Sequence, residues 1–162
     1  MALVLGSFTL MGRASATITV PGRAFEAEQL WYDPTRWPAW IDGFHHVVSL
    51  DRDIWPQPPA RLVWESRPRG RGRVLETVTR QEQRTGQTLQ VEDGRLRGTQ
   101  TVTFAAEGDG TRVTLSLDYQ LKRRNPLTPA IDWLFVRRAI TDSLRRTLAR
   151  FAREREGDLR PL

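Results

Sequence analysis

With 162 residues and 39% hydrophobic content, the chain is long enough for one domain with a sizeable core and too short for two ordinary ones. It has no cysteine and two histidines, His45 and His46, which excludes disulfide and thiolate chemistry and argues against a multi-histidine metal site. The net charge is +6 and Lys122 is the single lysine among 25 basic residues; such an arginine excess also arises from GC-rich coding, so charge alone selects no partner.

At the N-terminus, MALVLGSFTLMGRASA sets an apolar run before Ala14-Ser15-Ala16. No basic residue precedes that run and Arg13 interrupts its end, so the expectation is a cytoplasmic protein rather than a secreted one. No stretch reaches the roughly 20 apolar residues that cross a bilayer. Residues 1–12 read as an extension, 13–157 as a single domain and 158–162 as a tail. Residues 14–20 alternate Ala14, Ala16, Ile18 and Val20 with Ser15, Thr17 and Thr19, the period of a half-buried strand, and Pro21-Gly22 ends it. RAFEAEQLWYD places Ala24, Ala27, Leu30 and Trp31 at helical spacing and stops before Pro34. PTRWPAWIDGF predicts a second short helix carrying Trp37, Trp40 and Ile41, with Gly43 as its terminator.

From there the period becomes two. FHHVVSL puts Phe44, His46, Val48 and Leu50 on one side, and WPQPP breaks the chain before ARLVWES supplies Leu62 and Trp64. RPRGRGR reads as a turn. In RVLETVTRQEQ, Val74, Glu76 and Val78 share one side and Leu75, Thr77 and Thr79 the other; hydrophobicity does not choose between them. A two-residue turn at Asp93-Gly94 sets Glu92 opposite Arg95, Gln90 opposite Arg97 and Gln87 opposite Gln100. A second such turn at Asp109-Gly110 sets Phe104 opposite Leu115, Val102 opposite Leu117 and Gln100 opposite Tyr119. Both registers put Val102, Phe104, Val113, Leu115, Leu117, Tyr119 and Leu121 on one apolar face.

The chain closes on a predicted helix from Thr128 to Gly157. Thr128 suits the N-cap, Pro129 the first helical position and Gly157 the stop. Trp133, Val136, Ile140, Leu144, Leu148 and Phe151 recur at steps of three or four, a stripe about 40 Å long at 1.5 Å per residue. The four consecutive apolar residues Trp133 to Val136 exceed what one stripe requires and suit a ligand wall, a lid or a subunit contact. Strand, two short helices, six strands in meander and a long helix define an α+β domain with an antiparallel sheet.

LWYDPTRWPAW, GRVLETVTR, GTQTVTFAAEGDGTRVTLSLDY and the arginine-rich closing helix resemble the polyketide cyclase/dehydrase group of the START/Bet v 1-like (SRPBCC) superfamily, over about residues 14–155. The resemblance implies a helix-grip fold, a curved seven-stranded antiparallel sheet wrapped around the C-terminal helix, with a cavity between them for hydrophobic or amphipathic ligands. The chain departs from that pattern at Glu28, where the family carries a large apolar residue.

No nucleophile triad, phosphate loop or metal-spaced cluster is present, and GRGR near Gly70 is too short for a phosphate cradle. The polar residues expected on the inner face are His46, Glu76, Gln100 and Tyr119, each of which needs a partner, a ligand or water if buried. Of these, His46, Glu76 and Tyr119 are the candidates for proton transfer. The expected ligand-binding residues are Trp40, Trp64, Gln100, Val102, Leu117, Tyr119, Trp133, Val136 and Ile140, and Trp31 and Trp37 are further tryptophans that suit a pocket wall. Arg137, Arg138, Arg145, Arg146, Arg150 and Arg153 fall mostly on the other side of the long helix, as a solvated face or as a dock for an acidic surface. The expected function is binding or carrying a small hydrophobic ligand such as a lipid, quinone or polyketide-like molecule, without metal or cofactor. The alternatives are a cyclase or dehydratase acting through the cavity's polar residues, or a module whose basic surface meets RNA, ribosome or membrane. No specific nucleic acid is expected, membrane-surface contact stays possible, and the oligomeric state is open.

Overall fold

Alternating side chains build the first strand, β1, from Met11 to Pro21; its even-numbered residues Ala14, Ala16 and Val20 are buried. Helices α1 (Ala24–Tyr32) and α2 (Trp37–Trp40) follow, then the strands β2 (Phe44–Leu50), β3 (Arg61–Ser66), β4 (Arg73–Glu82), β5 (Gly86–Glu92), β6 (Leu96–Glu107) and β7 (Gly110–Leu121). The long helix α3 spans Pro129–Asp158. This computed structural model describes residues 11–122 and 129–160, so the expected cap at Thr128 lies outside the described residues.

All strands pair antiparallel in the order β1-β7-β6-β5-β4-β3-β2: a meander from β2 to β7, with β1 added beside β7. The sheet grips α3, which packs chiefly along β1 and against α2. Ala14 and Ala16 keep the inner surface of β1 low, which lets a helix lie close above it. Leu144, Leu148, Phe151 and Ala152 are the buried side of α3, with Val136 and Ile140 half-buried at its beginning. Phe151 meets Trp31 and Trp40 edge-on, with ring centroids 5.1 and 5.2 Å apart. This is the helix-grip arrangement.

The late hairpins keep the expected faces but not the expected partners. Asp93 Oδ1 accepts from the amides of Arg95 and Leu96 at 2.7 and 3.0 Å, and Asp93 N donates to Leu96 O, so the first turn runs to Leu96. Glu92 therefore pairs with Arg97, Gln90 with Thr99 and Gln87 with Val102. In the next hairpin Gly108, at φ +57, takes the left-handed position and Glu107 pairs with Gly110, one residue earlier than an Asp109-Gly110 turn. Phe104 then faces Val113, Val102 faces Leu115 and Gln100 faces Leu117. Moving a turn by one residue moves every partner by two, which preserves the inner face while separating Gln100 from Tyr119. Tyr119 lies instead between Gly98 and Gly12.

Strand β2 corrects a second expectation. Its register shifts between Phe44 and His46 and again between Val47 and Ser49. Each bulge adds an unpaired residue and reverses the alternation, so Phe44 points inward while His46 and Val48 are exposed. In β4 the choice left open by hydrophobicity falls to Val74, Glu76 and Val78 as the buried side, with Leu75 exposed. Glu28 is buried too: its Oε1 accepts from Arg84 N at 2.7 Å, tying α1 to the β4–β5 turn, where Arg84 holds φ +61.

Candidate functional site

The inner face of the sheet, α1, α2 and the middle of α3 enclose a cavity of about 80 Å³. Five of the six tryptophans, Trp31, Trp37, Trp40, Trp55 and Trp64, wall it. Trp31 and Trp40 lie 4.7 Å apart at their centroids, Trp55 stands edge-on to Trp37 at 5.4 Å, and Trp64 stacks on Phe44 at 5.4 Å. Three of these indoles donate to fixed acceptors: Trp37 to Trp31 O (2.8 Å), Trp55 to Tyr32 O (2.9 Å) and Trp64 to Glu76 Oε1 (3.2 Å). Trp40 Nε1 is buried and meets no acceptor.

Strand β4 delivers the cavity's acid. Glu76 sits between Leu62 of β3 and Val91 of β5 on the inner face. Burial raises its pKa, against the smaller opposing effects of the Trp64 hydrogen bond and the Arg71 charge. It therefore keeps its proton to higher pH than an exposed glutamic acid, and a neutral carboxyl can donate through its hydroxyl.

Arg71 arrives from the glycine-rich turn between β3 and β4. Its Nε donates to Asp93 Oδ2 at 2.7 Å and its guanidinium lies over the Trp64 ring, 5.8 Å from the centroid. Burial acts to raise the Asp93 pKa, but the Arg71 charge and the amides of Arg95 and Leu96 outweigh it, so the carboxyl is held low and ionised. Arg71 Nη2, like Trp40 Nε1, is buried without an acceptor.

Gln87 and Gln100 add amides to the lining, and Gln87 Nε2 is already committed to Pro56 O at 3.0 Å. At the helix side, Asp42 accepts from Ser143 Oγ (2.8 Å) and Arg146 Nη2 (3.0 Å) and pairs with Arg150 (3.3 Å), while its own amide donates to Thr147 Oγ1 (3.0 Å). Burial pushes the Asp42 carboxyl up, yet these partners prevail and its pKa is lowered. Asp42 thus fastens the turn after α2 onto α3. The cavity lining is donor-rich: it carries the Trp40 indole N–H, the Arg71 guanidinium and a buried acid, Glu76, that holds its proton to higher pH than usual.

Of the lining residues expected from sequence, Trp40, Trp64 and Gln100 border this cavity, as do Trp31 and Trp37. Val102, Leu117 and Tyr119 are buried on the inner face outside its lining, while Trp133, Val136 and Ile140 belong to the opening turns of α3. Tyr119 has a buried hydroxyl without a partner, and burial raises its pKa. Its ring covers Gly12, where a Cβ would fall inside it. Trp133 lies under the Arg137 guanidinium at 5.4 Å. His46 does not reach the interior; its Nδ1 sits 3.0 Å from that of His45 on the exposed face. Trp55, Arg71, Gln87 and Asp42 are cavity residues that sequence reasoning missed. A lone tryptophan in a proline-rich connection was the available signal for Trp55, since so large a ring on no strand face has to fold back onto something.

Among the described residues no group of three His, Asp or Glu side chains is placed to hold a metal ion, and no helix is long and apolar enough to cross a membrane.

Residues 11–156 match the family model described as polyketide cyclase/dehydrase and lipid transport. No protein of curated function matches the chain. Among solved structures it is similar to the Thermus thermophilus protein TTHA0849, at 19% identity and a TM-score of 0.72, covering 92% of this chain and 100% of the other. A START superfamily protein from Mycobacterium smegmatis gives 15% identity and a TM-score of 0.72, with 90% and 97% covered. The di-domain ARO/CYC StfQ from the steffimycin biosynthetic pathway gives 16% identity and a TM-score of 0.66, with 91% of this chain and 52% of that one covered. At these identities the likeness establishes the fold.

Proposed function

The chain belongs to the polyketide cyclase/dehydrase and lipid transport family, and from that premise we propose that it binds a small hydrophobic or amphipathic ligand by an oxygen-bearing end held in the tryptophan-walled cavity. One observation carries this reading: Trp40 Nε1 and Arg71 Nη2 are buried donors without acceptors, on residues that line the same cavity as the buried acid Glu76. An unpaired buried donor costs about 1–3 kcal/mol, more when charged, and a ligand carbonyl or carboxylate would relieve it. Quinones, polyketide-like ketones and fatty acids all present such an oxygen. A cavity of about 80 Å³ takes that end alone, since drug-sized ligands fill roughly 300–1,000 Å³.

Tryptophan fluorescence titrated with 2-naphthoic acid and with 1,4-naphthoquinone tests the reading. Saturable quenching is expected, with affinity retained in Glu76→Gln, which still donates, and reduced about tenfold in Glu76→Leu, which does not. Equal affinity in both variants would remove Glu76 from the site, and absence of saturation with either probe would remove the site itself.

The raised pKa of Glu76 favours a second reading, in which the bound carbonyl reacts. Proton donation from Glu76 to the carbonyl oxygen, with solvent water taking the α-proton, would give the enol, whose carbon can attack a second carbonyl of the same poly-ketone in an aldol cyclisation; the resulting β-hydroxy ketone can then lose water. Glu76→Gln separates the two readings, because it keeps the hydrogen bond and abolishes proton transfer. Binding without turnover in that variant, against turnover in the parent, is the result that makes the protein an enzyme.

A further inference from the structure

Phe135 (69%) and Leu134 (61%), among the most exposed large apolar side chains of the described residues, lie together on the opening turns of α3, while Met11 (61%) lies at the same end on the outer face of the sheet, beside Gln120 and Asp118. Helix α3 runs beside β1, with Arg155 Nε on Pro21 O at the far end of that strand, 3.1 Å away. Its opening turns therefore lie at the Met11 end, where the Arg137 charge reaches Tyr119, the partner of Gly12. The β5–β6 turn closes on the same end through Lys122 N and Arg95 O, 2.8 Å apart.

The charge of this end is basic. Among the described residues here, Glu92 is paired with Lys122 at 2.6 Å and Asp118 with Arg13 at 3.7 Å. Arg95, Arg137 and Arg138 remain exposed with no carboxylate partner among the described residues, and Arg137 rests on the Trp133 ring. On the helix, Leu134 and Phe135 project on the side opposite Val136, Ile140 and Leu144, with Arg138 one turn after Leu134.

We infer that this end is a docking surface for an anionic lipid bilayer. Apolar side chains ringed by arginines match an interface whose headgroups are negative and whose acyl region lies just below them. A nucleic acid would satisfy the arginines but would leave Leu134 and Phe135 in water. The surface is separate from the tryptophan-walled cavity, whose α3 lining begins at Ser143.

Sedimentation of the full chain with vesicles tests the inference, comparing phosphatidylcholine alone with phosphatidylcholine mixed with phosphatidylglycerol. Binding to the mixed vesicles, weakened by added salt, and none to the neutral ones is expected. Leu134→Ser and Phe135→Ser should each weaken it about tenfold, with circular dichroism unchanged because both positions are exposed. Arg137→Gln and Arg138→Gln should each weaken it roughly fivefold. The inference is overturned by equal binding to neutral vesicles, by full binding of the doubly serine-substituted chain, or by a dimer in solution that the same substitution dissociates. Tighter retention by single- or double-stranded RNA than by the mixed vesicles would likewise overturn it.

Discussion

Glu76 is a buried carboxylic acid whose neighbours do not fully compensate its charge, and that has a consequence for stability with a definite sign. Its folded pKa lies above the ordinary value of 4.5. Below that ordinary value both folded and unfolded chains hold the proton; as pH rises past it, the unfolded chain ionises first and the folded state loses its relative advantage until its own pKa is passed. A Glu76→Gln chain keeps the Trp64 contact and carries no such titration. Thermal unfolding should therefore give nearly equal midpoints at pH 4, with the Gln chain becoming the more stable as the pH rises above the ordinary glutamate value. A gap that narrows over that range would mean that Glu76 is ionised and well paired in the folded state. Residue identity alone did not reveal this environment. Leu75 on one side of β4 and Val74 and Val78 on the other are equally apolar, and the decision comes from the pairing of Leu62 and Val91 across the sheet. At His46 local alternation is misleading for a related reason, since the bulge between Phe44 and His46 reverses it.

Among the elements, α3 was the most legible, because its apolar stripe has to be buried wherever the sheet lies. Its two halves differ in what they contribute. Phe151 is fully buried between Trp31 and Trp40, so Phe151→Ala should cost about 3–5 kcal/mol of unfolding free energy. Phe135→Ala, at an exposed position on the same helix, should change stability by no more than about 0.5 kcal/mol. Urea denaturation of the two chains measures both, and comparable losses would show that the opening turns of α3 are packed as tightly as the rest. The hairpins were legible in their faces and not in their partners. Asp-Gly pairs pointed to the turns, but Asp93 uses its side chain to hold a longer turn and Gly108 supplies the left-handed residue of the other.

For the whole molecule, the order of elements sufficed to give the fold, whereas the cavity required knowing which distant segments meet. Sequence placed the pocket near Gln100, Tyr119 and Trp133, on a facing pair that the actual register separates. The observed cavity lies toward α2 and the β3–β4 turn, where Arg71 is brought over Trp64 by its pairing with Asp93. That contact joins positions 22 residues apart in the chain, and no local pattern announces it. The two locations make different demands on a ligand, and the indole N–H resonances tell them apart. In proton–nitrogen correlation spectra of the full chain, with the Trp40 signal assigned through Trp40→Phe, addition of 2-naphthoic acid should move the Trp40 indole proton downfield as it gains an acceptor, while Trp133 stays in place. A Trp40 resonance that does not respond, or a shift confined to Trp133, would contradict the placement of the ligand's oxygen in the tryptophan-walled cavity.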